Sequence, residues 1–345
     1  FFKQKTAYEM LRSLVGSEMC IRDSFCSHPA LQRWGRTRKP LRDPHLCQVE
    51  VHRYRCPRCR RTFRHYPPGV TRWTQSQRLV VLAALLWALG LSLRGVESLL
   101  PHLGVPLSRM SVLRDVRALS AAVKHRLPRQ ARVLGVDGCG VRVRGKPQGV
   151  LVCVEMGGGL PLLVLPVDEK DPKAVASALR PLAQALGVEV LVSDDLGSYR
   201  TVAETLRLEH QVCAFHVRRW AGRALARLRA QVPEAWREVV EEAGAVLRAR
   251  PPDGGRRLFA LYRQVVQGVG KRKERSLEEL ARVLLRLSEE WGRYTLDRRV
   301  WGVPATTNRV EQAIGRFRWR ARGMRGIKTW AGVEAALLLS HLQVA

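Results

Sequence analysis

The residues of this chain best suited to chemistry are carboxylates set among apolar neighbours, and a pair of closely spaced thiols. Asp137 follows Val133, Leu134 and Val136 in the run VLGVDGCG, which otherwise reads as a buried strand. A charge placed there is costly unless something needs it, so we expect Asp137 to hold a metal ion. Asp194 and Asp195 stand at the end of a second apolar run, VEVLVS (188–193). Glu311 lies in TTNRVEQ, one helical turn after Asn308 and on the same face. Hard carboxylate oxygens suit Mg²⁺ (or Mn²⁺), which keeps open positions for water and phosphate. The competing reading of each acid is half of a salt bridge to a nearby arginine. Cys56 and Cys59 bracket a tight turn in RYRCPRCRRTF, the form of a zinc knuckle.

The elements that must position these groups can be read from the spacing. Residues 131–165 predict three strands joined by Gly-rich turns, with Arg142 and Arg144 alternating outward as a DNA-contacting edge. Asp171 and Pro172 open a helix that runs to Leu186 and stops at Gly187. Residues 188–193 predict a fourth strand, Tyr199–Leu206 a helix, and 210–216 (HQVCAFH) a fifth strand. Thr306 or Thr307 can cap a further helix, 304–326, on which Arg316, Arg318, Arg320 and Arg322 could grip phosphates. Residues 217–303 read as helices, interrupted at PPDGG (251–255). Trp236, Trp291 and Trp301 are expected in the core, with stacking of one of them on an unpaired base as the alternative.

Before the strands, the chain predicts two smaller units. The first, 25–70, is a zinc ribbon in which Cys26 joins Cys56 and Cys59. The fourth ligand is wanting, because position 23 holds Asp23; His28 or Cys47 could substitute, and a redox pair is the rival reading. The second unit, 71–128, is helical, with starts capped by Ser76, Ser92 and Ser108. Two short helices joined by a turn fit a helix-turn-helix, with Arg109, Ser111 and Arg114 facing the major groove. A plain three-helix packing unit with solvated arginines is the alternative.

The composition narrows the partners. Sixty Lys plus Arg oppose 30 Asp plus Glu, a net charge of +30 over 345 residues, and only ten of the basic residues are lysine. Such a field attracts a polyanion, and arginine suits phosphates and guanine edges. No apolar run is long enough to span a bilayer, and the scattered cysteines fit a reducing cytoplasm and a metal site. Residues 1–24 resemble a translated sequencing adapter. We exclude them from the fold and expect genuine residues before Phe25 to be missing.

Three strands, a helix, a strand, a helix and a strand is the order of the ribonuclease H-like fold, in which the first and fourth strands are neighbours. From ribbon to C-terminus the sequence resembles bacterial insertion-sequence transposases of the DDE class. The matching motifs are VLGVDGCG around Asp137, VSDDLGSY around Asp194 and TTNRVEQ around Glu311. The tyrosine five residues after Asp194 selects it over Asp195, and Cys213 with His216 matches a C-x-x-H found after the second aspartate. The resemblance implies an α/β (mixed α+β) ribonuclease H-like catalytic core at 129–216 and 304–345 with a helical insertion at 217–303. It also implies Asp137, Asp194 and Glu311 as catalytic Mg²⁺ ligands, with Asn308, Asp195 and His216 in support. The expected activity is metal-dependent cleavage and strand transfer on double-stranded DNA, at terminal repeats and target, by a homodimer. A non-catalytic DNA-binding regulator and a ribonuclease H-like nuclease without transposition are the competing functions.

Overall fold

The computed structural model describes residues 28, 30–268, 274–324 and 327–342; the expected zinc ligand Cys26 and the segment 1–24 lie outside them. The chain divides into two compact units, one of 1–127, 142–146 and 315–345, the other of 128–141 and 147–314.

In the first unit, β1 (Gln32–Pro40), β2 (Gln48–Arg55) and β3 (Thr62–His65) form an antiparallel sheet. Three helices follow: α1 (Gln77–Ala88), α2 (Leu93–Leu99) and α3 (Arg109–Lys124). Each starts at a serine whose side chain accepts a backbone N–H one turn on, Ser76 from Leu79, Ser92 from Gly95 and Ser108 from Ser111. These are the expected caps. Leu79, Ala83, Ala84 and Trp87 form the buried stripe of α1. A short 3-10 turn, Leu100–Leu103, ends at Gly104, whose φ of 73° lets the chain reverse towards α3.

The second unit is built on five strands: β4 (Val133–Val143), β5 (Lys146–Glu155), β6 (Pro161–Leu165), β7 (Val190–Ser193) and β8 (Glu209–Val212). Their order is β6-β5-β4-β7-β8, with β4–β7 and β7–β8 parallel and β5–β6 antiparallel. This is the ribonuclease H-like arrangement in a mixed α/β fold, with the first and fourth of these strands adjacent as expected. All four residues of β7 are buried, as a parallel strand covered on both faces requires; each of its apolar side chains contributes roughly 1.5–3 kcal/mol by leaving water. Helix α4 (Pro172–Leu186) begins at Asp171, which accepts the N–H of Lys173 and Ala174, and ends at Gly187 with φ 66°. Helix α5 (Gly197–Leu206) follows β7.

One boundary differs from the expectation. Residues 210–216 are not one strand: β8 stops at Val212, Cys213 caps the next helix, and α6 (Ala214–Gln231) carries His216 in its first turn. A short apolar run bounded by polar residues fits either element. Here the Ala214 N–H donates to Ala305 O at 2.8 Å, and Thr307 N–H points to Cys213 Sγ at 3.5 Å, fixing the turn.

After α6 the chain is helical among its described residues: α7 (Arg237–Ala249), α8 (Gly254–Gly268), α9 (Arg275–Glu289), and the short α10 (Trp291–Tyr294) and α11 (Leu296–Arg299). Leu277, Leu280, Leu284 and Leu287 recur at helical spacing on α9 and are buried with Leu258 and Trp291 in a core that also takes in Val212 of β8 and Leu225 of α6. Arg250, at φ 51°, ends α7 and pairs with Asp297, its Nη1 3.1 Å from Oδ2, both side chains buried. Trp301, expected in the core, is 92% exposed. Last come α12 (Asn308–Arg322) and α13 (Trp330–His341). Among the described residues no helix is long and apolar enough to cross a membrane.

Candidate active site

Strand β4 is shaped to be approached closely. A methyl group on Gly135 would overlap Met156 Sδ and Val310 Cγ2, so the missing side chain lets α12 lie against the strand. Gly135 and Asp137 are two residues apart and share a face, and Val310 precedes Glu311. The contact that seats the helix leaves Glu311 exposed on the next position, near enough to Asp137 for its charge to be felt there weakly. Thr307 donates its hydroxyl to Glu311 Oε1 at 3.1 Å, steadying that carboxylate.

Parallel pairing of Val133 with Val190 and of Gly135 with Val192 sets β4 beside β7, whose end leads directly into Asp194. Asp137 is pushed up to about 7, first by burial, then by the negative charges of Asp194 and Glu169, with the Gly138 N–H opposing and Glu311 adding the least. Asp194 is also raised, by burial first; the Leu196 N–H, 3.2 Å from its Oδ1, pulls the other way, Glu169 raises it and His216 lowers it. These carboxylates thus lie within electrostatic reach of one another. Asp195 turns elsewhere: burial raises it, and Arg286, 2.6 Å away, opposes.

Glu169, in the connection between β6 and α4, was not singled out from the sequence. Its Oε2 accepts the Tyr199 hydroxyl at 3.0 Å, and a methyl on Gly138 would collide with it. Tyr199 is fully buried, and burial with the Glu169 charge drives its phenol far above the ordinary range, so it stays a donor. Two signals could have pointed to Glu169: a glycine directly after Asp137, and the tyrosine of LGSYR.

Mutually repelling, half-buried oxygen donors are the chemistry a hard divalent cation relieves. In that respect the chemistry of Asp137 and Asp194, both raised, fits Mg²⁺ or Mn²⁺. Among the described residues, no three His, Cys, Asp or Glu side chains are drawn together at metal-holding distance. Asn308 is exposed at the start of α12, and His216 stands beside Asp194.

The expected zinc and DNA residues fall as follows. Cys56 is buried and Cys59 partly so, joined by a turn in which Arg60 N–H donates to Cys56 O at 2.9 Å. Cys47 precedes β2 and Cys56 follows it, so about 30 Å of strand separates them. Cys47 cannot complete that site. Arg109 and Arg114 are exposed on the first turns of α3, and Arg114 Nη2 donates to Ser111 Oγ at 3.2 Å. Arg142 is exposed; Arg144 is the first residue of a two-residue turn, with φ 52° and its Nε donating to Lys328 O at 3.2 Å. Arg318 is exposed, while Arg316 bonds His341 Nδ1 at 3.1 Å. Arg320 does not grip phosphates: it is 1% exposed, its guanidinium stacks 4.2 Å over Trp87 and it donates to Leu91 O. Residues two apart on a helix face opposite ways, so the run of alternating arginines cannot form one basic face.

No family model and no curated protein matches the chain. Among solved structures, the catalytic core domain of BIV integrase is similar over 55% of this chain and 99% of its own, at 12% identity and a TM-score of 0.20. At that score the likeness bears on neither fold nor activity.

Proposed function

We propose that this chain is a DDE transposase that binds the ends of a mobile DNA element, cleaves the strands and joins them to a target. The observation that carries the reading is the parallel β4–β7 pair, which sets Asp137 and Asp194 at adjoining positions where each acid feels the cluster's charge. Salt bridges would lower these acids; instead both are raised. A regulator without catalysis has no use for carboxylates crowded at such cost.

Asp137, Asp194 and Glu311 would hold Mg²⁺ or Mn²⁺, with Glu169 beside them; the ion would activate an attacking water or 3′-hydroxyl and stabilise the leaving oxygen. The chain's own residues set the stage for it. Tyr199 keeps Glu169 in place over Gly138, Thr307 orients Glu311, and His216 offsets the charge at Asp194. The exposed arginines of α3 suit the major groove, and Cys56 and Cys59 with Cys26 suit Zn²⁺. The setting we propose is the bacterial cytoplasm, with double-stranded DNA as partner and a homodimer as the working form.

The test is Asp137→Asn on a plasmid carrying the element's own ends. Cleavage in Mg²⁺ should fall by on the order of 10³-fold while DNA binding stays within about twofold. A substituted protein that still cuts ends the assignment. Products joined to a target, rather than nicks alone, separate a transposase from a nuclease.

A further inference from the structure

Helix α6 leaves the sheet with His216 beside Asp194 and then carries Arg219, Arg223 and Arg227 at four-residue steps. Four residues advance a helix by about 6 Å and return to the same face, so the three side chains stand in a row. The row borders a cavity of about 570 Å³ whose other residues include Asp194, Asp195, Trp220 and Arg286. Arg227 is paired with Glu279, and Arg286 pairs with Asp195 while lying 4.4 Å over the Trp220 ring. Arg219 and Arg223 are exposed, and neither belongs to an ion pair among the described residues. The cavity therefore starts at a carboxylate of the candidate centre and continues past two unmatched guanidinium groups one helical step apart.

That combination points to one kind of ligand. Successive phosphates of a single strand suit arginines spaced along a row, and the guanidinium fork binds phosphate well. A half-buried tryptophan beside them offers a surface for an unpaired base. A duplex keeps its bases paired and stacked inside and has none to offer the tryptophan. We infer that this cavity seats an unpaired DNA strand, with Arg219 and Arg223 each holding one phosphate and Trp220 beside a base. The seat's purpose, to hold a strand next to the phosphate being cut, rests on the transposase reading. The binding itself does not.

The test therefore uses binding without catalysis. A fluorescent oligo-dT is titrated with the full chain in EDTA over a range of salt concentrations. Each phosphate contact to a single strand contributes about 0.7 to the slope of log K against log salt. Arg219→Ala/Arg223→Ala should flatten that slope by about 1.4 and weaken binding by about tenfold at moderate salt. Arg229→Ala/Arg257→Ala removes the same charge from arginines paired with Glu241 and Glu242 and should leave the slope unchanged. If the alanine protein fails to melt cooperatively, Arg219→Gln/Arg223→Gln makes the same test with side-chain length kept. An unchanged slope, an equal effect of the control pair, or an equal loss for a blunt duplex overturns the seat. An equal loss for oligo-rU overturns its assignment to DNA. Because no metal is present, failure here leaves the Asp137→Asn cleavage result standing, and the reverse holds too.

Discussion

Removing the charge at Asp137 should abolish cleavage and yet stabilise the protein when no metal is bound. In the fold its carboxyl is pushed from 3.8 to about 7, chiefly by burial and by Asp194 and Glu169. A folded form that binds the proton more tightly than the unfolded chain is favoured at low pH. That stability is complete below 3.8 and is lost as pH rises through about 7. At 1.36 kcal/mol per tenfold change in proton affinity, the loss has a ceiling of about 4 kcal/mol; with solvent reaching the carboxylate, about 1–3 kcal/mol is the figure to expect. Asp137→Asn keeps the shape without the charge. In EDTA at pH 8 it should melt about 2–6 °C above the native protein, at roughly 2 °C per kcal/mol for a chain of this size. At pH 5, where the native carboxyl is largely protonated, less than half of that gain should remain. Adding Mg²⁺ should raise the native protein's melting temperature and leave that of the substituted protein nearly unmoved. The assay is thermal melting of both proteins at the two pH values, with and without Mg²⁺. A substituted protein that melts lower at pH 8, or gains equally at pH 5, refutes the argument that Asp137 sits uncompensated among like charges.

Two further outcomes follow from the packing. Gly138→Ala drives a methyl group into Glu169, so cleavage should drop by on the order of 10²-fold while duplex binding and melting temperature change little; unchanged cleavage would mean that Glu169 has no part in the site. Arg320→Ala should cost about 1–3 kcal/mol in thermal melting, through lost contact with Trp87, and should leave the salt dependence of DNA binding as it was.

What the sequence made legible is what depends on near neighbours. Ser76, Ser92, Ser108 and Asp171 each cap a helix by accepting an N–H two or three residues on, so their meaning lies within one turn of chain. The alternation of elements was legible too, and the adjacency of the first and fourth strands was what its likeness to the ribonuclease H-like order implied. What stayed hidden depends on distant partners. Arg320 reads as a solvated charge until Trp87, far earlier in the chain, is packed beneath it. His216 reads as the end of a strand until Ala305 and Thr307 fix the turn at Cys213. Glu169 sits in DEKD (168–171), an ordinary polar turn in the sequence; its link to Tyr199 exists only once the sheet and α5 are in place.

The two glycines around Asp137 explain how such a cluster can exist at all. Like charges drive one another apart, so a carboxylate group of this kind has to be held by something that is not electrostatic. Gly135 gives up its side chain to Met156 and Val310, both nearly or fully buried, and their packing presses α12 onto β4. Gly138 gives up its own to Glu169, which Tyr199 grips from a fully buried position. Apolar burial on one side thus seats α12 and a buried phenol on the other holds Glu169 near Asp137 against repulsion. The fold thus brings Asp137 and Asp194 within electrostatic reach of Glu169, while among the described residues the side chains stop short of metal-holding distance; a cation would have to draw them the rest of the way, and the charge left buried at Asp137 and Asp194 is what would favour it.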